Sequence, residues 1–305
     1  STPCGTLFPY TTLFRSGIAT FYPTDIPYLT PNPHLREGQD FLAEMVAACR
    51  KRGIRIFARN DYGLMSAKVA DEHPDWAVDG DDENRWWAGR EVVATCPSGP
   101  MFRDIPVQAF QEQIGRYGVD GIYINALGNS CACQRCRDLF RKRTGCEYPE
   151  VFDWNDPASR AWVEFRYWLA DETARFQYEG VKAASPDALY FIDAAGLQEH
   201  EWVRGKAQDL VTHGKYQDIV STEAFNDLVK GYPRMLAPIV SRYVRRVADR
   251  LGKPGAVFVS SFPGHSWPRS AQPSEQFASY LASVYFNGAS AVTPWYGHCA
   301  REDRR

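Results

Sequence analysis

Short apolar runs alternate with helix-patterned segments along most of this chain, and that alternation restricts the fold more than any other feature. Residues 41–52 repeat Leu42, Met45, Val46 and Cys49 at helical spacing, and 54–58 follows Gly53 as a strand. Residues 92–95 read as a second strand. Val107, Phe110, Ile114 and Tyr117 mark a helix face that Gly118 ends, and 121–125 is a third strand. Further helices are predicted over 157–184, 203–213, 234–251 and 275–286, with strands at 189–192, 218–223, 256–260 and 289–295. Strands separated by helices build parallel βα units. The predicted fold is therefore α/β, a (β/α)8 TIM barrel. Only seven strands are read, so the barrel is expected to be clipped at both ends, lacking its first strand and last helix. An open doubly wound sheet is the alternative, but no glycine-rich phosphate loop follows any strand.

Residues 6–16, TLFPYTTLFRS, resemble throughout the in-frame translation of a widely used short-read sequencing adapter. Residues 1–16, Cys4 included, are read as an artefactual leader. Residues 17–305 then form one domain with ample apolar content for a core. The missing strand is expected upstream of Gly17, where the leader has replaced it, as in a metagenomic fragment. Such a sheet keeps two unpaired edges, which predicts poor solubility. The net charge of −2 excludes the basic footprint of a nucleic-acid binder. No apolar run is long enough for a transmembrane helix. A homo-oligomer is compatible with everything read so far.

Seven cysteines follow the leader: Cys49, Cys96, Cys131, Cys133, Cys136, Cys146 and Cys299. An odd, clustered set makes a poor disulfide framework, and Cys49 sits on the apolar face of its helix. Cys131, Cys133 and Cys136 form C-x-C-x-x-C just beyond the 121–125 strand, a spacing that suits a tetrahedral metal. Cys96, just past the preceding strand, is the favoured fourth ligand, and Cys146 competes for that place. Four thiolates would close the site and make it a structural zinc centre. Reduced, unliganded thiols are the plainer alternative. No organic cofactor is indicated, and clustered reduced cysteines fit the bacterial cytoplasm.

Barrel enzymes carry their chemistry where strands end. Three carboxylates stand at such places here: Asp61 in ARNDYG, Asp193 in YFIDAAG and Glu223 in IVSTEAF. Glycoside hydrolysis needs a pair of carboxyls, and Glu223, ending an apolar strand, is the strongest candidate. Asp193 and Asp61 also suit plain turn roles. Arg59 and Asn125 could hold substrate hydroxyls. His265 and Trp267 in FPGHSWP, with Trp295 and His298 in TPWYGH, could line a sugar subsite. HPDW at 73–76 reads either as a cover for the site or as a local aromatic staple. Aromatic residues make up 14% of the chain and suit both a large core and sugar-stacking platforms.

The passages FYPTDIP, GQDFLAEMVAACRKRGIRIFARND, TCPSGP, GVDGIYIN and CACQRCRDLF together resemble the hypothetical glycosyl hydrolase 6 group. That group is related to α-L-fucosidase barrels and to family 42 β-galactosidases, and the resemblance runs over most of residues 18–295. It implies a glycosidase-type barrel acting on a carbohydrate. The cysteine pattern resembles the structural zinc site of family 42, which implies Cys96, Cys131, Cys133 and Cys136 as ligands. Two departures stand out. Fucosidase-like barrels carry an aspartate nucleophile where this chain has Asn125, and family 42 enzymes carry Asn-Glu where it has Asn125-Ala126. An amide supplies neither nucleophile nor proton. The expectation is thus a glycoside hydrolase, with a non-catalytic carbohydrate-binding barrel as the alternative. A metal amidohydrolase would need a H-x-H strand end, and the chain has none.

Overall fold

The computed structural model describes residues 19–29, 31–32, 35–79, 92–125, 130–194, 207–224, 236–259 and 272–292. Among these the strands are β1 (Phe57–Asn60), β2 (Leu64–Ser66), β3 (Val92–Ala94), β4 (Gly121–Asn125), β5 (Leu189–Ala194), β6 (Val220–Ala224), β7 (Gly255–Val259) and β8 (Ser290–Val292). The helices are α1 (Phe41–Arg50), α2 (Ala67–Glu72), α3 (Asp104–Glu112), α4 (Gln134–Thr144), α5 (Pro157–Ala184), α6 (Leu210–His213), α7 (Leu236–Leu251) and α8 (Ser274–Phe286). Local chemistry starts several of them. The Asp40 carboxylate accepts the Ala43 N–H at 3.0 Å to cap α1. Asp156 caps α5 through Ala158 and Ser159, with Pro157 in the first turn.

Six strands form one parallel sheet in the order β1-β4-β5-β6-β7-β8. Its outer face carries Ala58, Ile122, Ile124, Tyr190 and Ile192, which pack with Leu42 and Val46 of α1, Phe110 of α3 and Val181 of α5. Further along, Val220, Val257 and Val259 pack with Val240 and Val244 of α7 and Val284 of α8. The alternate residues Phe57, Tyr123, Phe191, Phe258 and Val292 form a second, inner cluster. Their ring contacts measure how far the sheet curls. Tyr123 and Phe258 stack at 5.3 Å between centroids, although their strands lie three places apart in the sheet. At ~4.8 Å per strand a flat sheet would separate them by about 14 Å. The sheet therefore bends round an aromatic filling, as a barrel wall does. Gly121 makes room for that filling, because a Cβ there would sit 2.6 Å from the Phe57 ring and 2.4 Å from the Leu189 carbonyl oxygen.

The expected strand at 92–95 is not part of this wall. β3 pairs antiparallel with β2, Leu64 opposite Ala94 and Ser66 opposite Val92, while β1 pairs directly with β4. The burial of Val92 and Ala94 about the half-buried Val93 is the same for a hairpin strand as for a barrel strand. The parallel strands thus number six among the described residues, and residues 61–79 and 92–103 leave the wall as an excursion between β1 and α3. The first strand also begins later than expected. Residues 54–56 precede it, and the Ile56 N–H bonds to the Asp120 carboxylate at 2.8 Å. A similar substitution occurs at β6. Gln217 and Asp218 accept the N–H groups of Ile192 and Tyr190 with their side chains, at 2.9 and 2.8 Å. Of the helix expected over 203–213, only α6 lies within the described residues. The strand expected upstream of Gly17 and the end of the chain lie outside them.

Candidate functional site

Alternation along each strand determines which side chains reach the inside of the curl. Phe57 leads to Arg59 and Asp61, Tyr123 to Asn125, Phe191 to Asp193, and Ile219 to Glu223. The parallel register aligns the strand ends, with Asn125 opposite Asp193 and Asp193 opposite Ser221. Five of the residues singled out in the sequence are therefore gathered above one aromatic floor.

These residues are joined by contacts. Arg59 pairs with Asp61 at 3.3 Å, and the Asn125 amide approaches the same Asp61 oxygen at 3.5 Å. The Arg59 guanidinium lies 5.6 Å over the Tyr123 ring. The Tyr123 hydroxyl donates to Asp193 Oδ2 at 2.9 Å. Asp193 is fully buried, and Glu223 lies within hydrogen-bonding reach of it. Burial above all, and then the neighbouring Glu223, push the Asp193 carboxyl well above the ordinary aspartate range; Tyr123 and Arg59 oppose the shift. Glu223 and Asp61 are only half-buried. Chemically the cluster offers a carboxyl that keeps its proton, two further carboxyls and one fixed cation. In the sequence Tyr123 is only one residue of the 121–125 strand; its place two residues before Asn125 on the inner face is the signal that singles it out.

A second cluster forms where Cys96 of the excursion meets three cysteines that follow β4. The Sγ atoms of Cys96, Cys131, Cys133 and Cys136 lie within 4.8 Å of one another. Cys96 is 3.6 Å from Cys133 and 3.5 Å from Cys136. A tetrahedral zinc with Zn–S bonds of ~2.3 Å has S···S edges of about 3.8 Å, so the donor set fits such an ion. Hydrogen bonds from the other three thiols pull Cys133 far down, and those of Cys131 and Cys136 help bring Cys96 to about 7. Arg135 adds a positive charge beside Cys96 and Cys133, and it is itself paired with Asp75. Ser98, in TCPSGP, stands 3.2 Å from both Cys96 and Cys136. Cys146 is outside the cluster and contacts the Thr144 carbonyl. In HPDW, His73 stacks on Trp76 at 4.0 Å while Tyr28 meets both rings edge-on. That is a local staple rather than an open platform. His265, Trp267, Trp295 and His298 lie outside the described residues.

Comparison with known proteins gives this arrangement a relationship. Residues 10–126 match the family described as hypothetical glycosyl hydrolase 6. Solved structures show the same fold at low identity. The chain is similar to α-L-fucosidase isoenzyme 2 from Paenibacillus thiaminolyticus, with a TM-score of 0.61 and 17% identity, covering 93% of this chain and 40% of that one. It is similar to a β-galactosidase from Bacillus circulans sp. alkalophilus, with a TM-score of 0.64 and 16% identity over 83% of this chain and 42% of that one. The PgaB (BpsB) glycoside hydrolase domain from Bordetella bronchiseptica gives a TM-score of 0.70 and 12% identity over 95% and 82%. The chain thus spans less than half the length of the fucosidase and the β-galactosidase. No curated protein sequence matches it. No helix among the described residues is long and apolar enough to cross a membrane.

Proposed function

We propose that this chain is the barrel domain of a glycoside hydrolase, with a carbohydrate bound over the mouth of the curled sheet. The observation that carries this reading is the convergence of Asp61, Asp193 and Glu223, from three different strands, on one inner face beside Arg59. Glycoside hydrolysis runs through a pair of carboxyls that do different work, and neighbours that separate their proton affinities assign that work. Glu223 is the catalytic carboxylate in this reading, with Asp61 and Asp193 as candidates for the second carboxyl. Arg59 and Asn125 bind sugar hydroxyls. In the same reading the curled wall is part of a (β/α)8 barrel.

Cys96, Cys131, Cys133 and Cys136 would hold a structural zinc. With all four positions taken by thiolates the ion has no open site, so it braces the excursion and takes no part in the chemistry. Hydrolysis of aryl glycosides, α-L-fucosides and β-galactosides among them, is the direct test. Glu223→Gln should lower turnover by about 10²–10⁴-fold, the range for loss of an acid–base group. Unchanged turnover would remove Glu223 from the mechanism. Asn125 favours a second reading, a barrel that binds carbohydrate without cleaving it, because an amide stands where the resemblance expects a carboxylate. Oligosaccharide binding with no turnover of any glycoside would decide for that reading.

A further inference from the structure

The two acids Asp193 and Glu223 are within hydrogen-bonding reach, and two carboxyls can make that contact only if one of them keeps a proton. Their surroundings differ. Asp193 is sealed at 0% exposure, beneath the strand ends. Its Oδ2 takes the Tyr123 hydroxyl at 2.9 Å, while its buried Oδ1 finds no N–H or O–H donor among the described residues. A charge there would be half unsolvated. Glu223, on the neighbouring strand, is half-buried and keeps access to the mouth. Tyr123 in turn cannot swing away, because its ring is stacked between Phe191 at 4.9 Å and Phe258 at 5.3 Å. Among the described residues, the charged and titratable groups around Asp193 are Arg59 and Asp61 from the β1 end, Tyr123 from β4 and Glu223 from β6. The Ser221 hydroxyl is spent on the Ile192 carbonyl, and β7 presents the uncharged Phe258.

We propose that Asp193 does not meet substrate but is a proton-carrying positioning residue, locked by the Tyr123 hydroxyl, that donates a hydrogen bond to Glu223 and holds it ionised toward the mouth. This deepens the glycosidase reading and rests on it for its catalytic consequence. No covalent step is involved; the proton stays on Asp193, and Asp61 is left as the second carboxyl open to substrate. The arrangement separates two substitutions that look alike. An amide at 193 can still donate to Glu223 as the protonated acid does, whereas an aliphatic side chain cannot.

The test uses the full chain with 13C-labelled aspartate and reads both infrared spectra and aryl glycoside kinetics. A protonated carboxylic acid stretch should persist at pH 7, vanish in Asp193→Asn and shift in Tyr123→Phe, which removes the hydrogen bond to Oδ2. Asp193→Asn should lower kcat/KM by no more than about tenfold, the scale of one altered hydrogen bond. Asp193→Leu should lower it by a further order of magnitude and move the acid limb of the pH profile upward, because Glu223 loses its donor. Absence of the protonated band at pH 7, or an Asp193→Asn enzyme as inactive as Glu223→Gln, would overturn the proposal. If the wild-type chain cleaves no glycoside, the glycosidase reading fails, and the infrared band alone still decides whether Asp193 carries the proton.

Discussion

Two clusters of acidic groups, the strand-end carboxyls and the cysteine thiols, can resolve crowding in opposite ways. At the strand ends, Asp61, Asp193 and Glu223 converge on an aromatic floor with a single cation, Arg59, among them. Elsewhere, Cys96 of the excursion converges with three cysteines that follow β4, with Arg135 beside them. Carboxyls that cannot all be charged can keep a proton between them. Thiols gathered at tetrahedral spacing can instead give their protons up to a metal ion. One cluster has a half-buried face toward the mouth and the other offers a closed set of donors. Like-charged convergence is thus not by itself a sign of catalysis; what matters is whether protons or a cation relieve it, and whether a face stays open.

Stripping the metal should break this contrast with the largest effect. Chelation, or Cys96→Ser, is expected to cost several kcal/mol of stability, a part of the binding energy of a four-cysteine site. It should loosen residues 61–103 first, which hydrogen exchange would register. If metal analysis finds no zinc in the purified protein and chelation leaves the melting temperature alone, the thiol cluster is a plain reduced core. Glu223→Gln sharpens the contrast from the other side, since it should remove turnover while leaving metal content and melting temperature where they were.

A third buried polar spot has neither remedy and should show the consequence. His213 of α6 is fully buried 3.7 Å from Asp171 of α5, and neither imidazole nitrogen has a hydrogen-bond partner. Burial brings His213 down to about 4 from 6.5. The unfolded imidazole therefore takes up its proton first as pH falls, and His213 by itself should lower stability by about 3 kcal/mol between pH 6.5 and 4. Denaturant melts of His213→Asn should flatten that slope. Asp171 runs the other way: burial raises it to about 6 from 3.8, so its cost appears as pH rises through that interval. Asp171→Asn should stabilise the protein at pH 7 by roughly 1–2 kcal/mol, the shift discounted for partial exposure. A change of similar size is expected for Gly121→Ala, about 1–3 kcal/mol from crowding the Phe57 ring. It should disturb the carboxyl cluster's floor and leave metal content untouched.

Much of this layout was legible in the chain. The runs around Ile122, Phe191 and Val257 announced strands, and C-x-C-x-x-C with Cys96 announced a thiol cluster. Strand-end arithmetic also brought Arg59, Asp61, Asn125, Asp193 and Glu223 to one end of the sheet. What could not be read was pairing direction. Val92-Val93-Ala94 has the same alternation whether its neighbour is parallel or antiparallel, and Leu64–Ser66 is too short to leave a period of its own. Nor does sequence tell a backbone hydrogen bond from the Asp120, Gln217 and Asp218 side chains that stand in for one. Tyr123 stayed hidden because a tyrosine in an apolar run reads as core until its hydroxyl finds a partner.

The excursion also bears on how this scaffold can change. Residues 61–79 and 92–103 leave the wall between β1 and α3, while β1 and β4 stay paired over Phe57–Gly121 to Asn60–Ile124 without them. Lengthening a loop whose ends are already fixed costs only logarithmically. A zinc held by the four cysteines would tie that passage, through Cys96, to the connection after β4 that carries Cys131, Cys133 and Cys136. The surface of that passage can then be rewritten by insertion or deletion while the carboxyls beneath keep their register, so what the mouth admits and what the strand ends do can evolve apart.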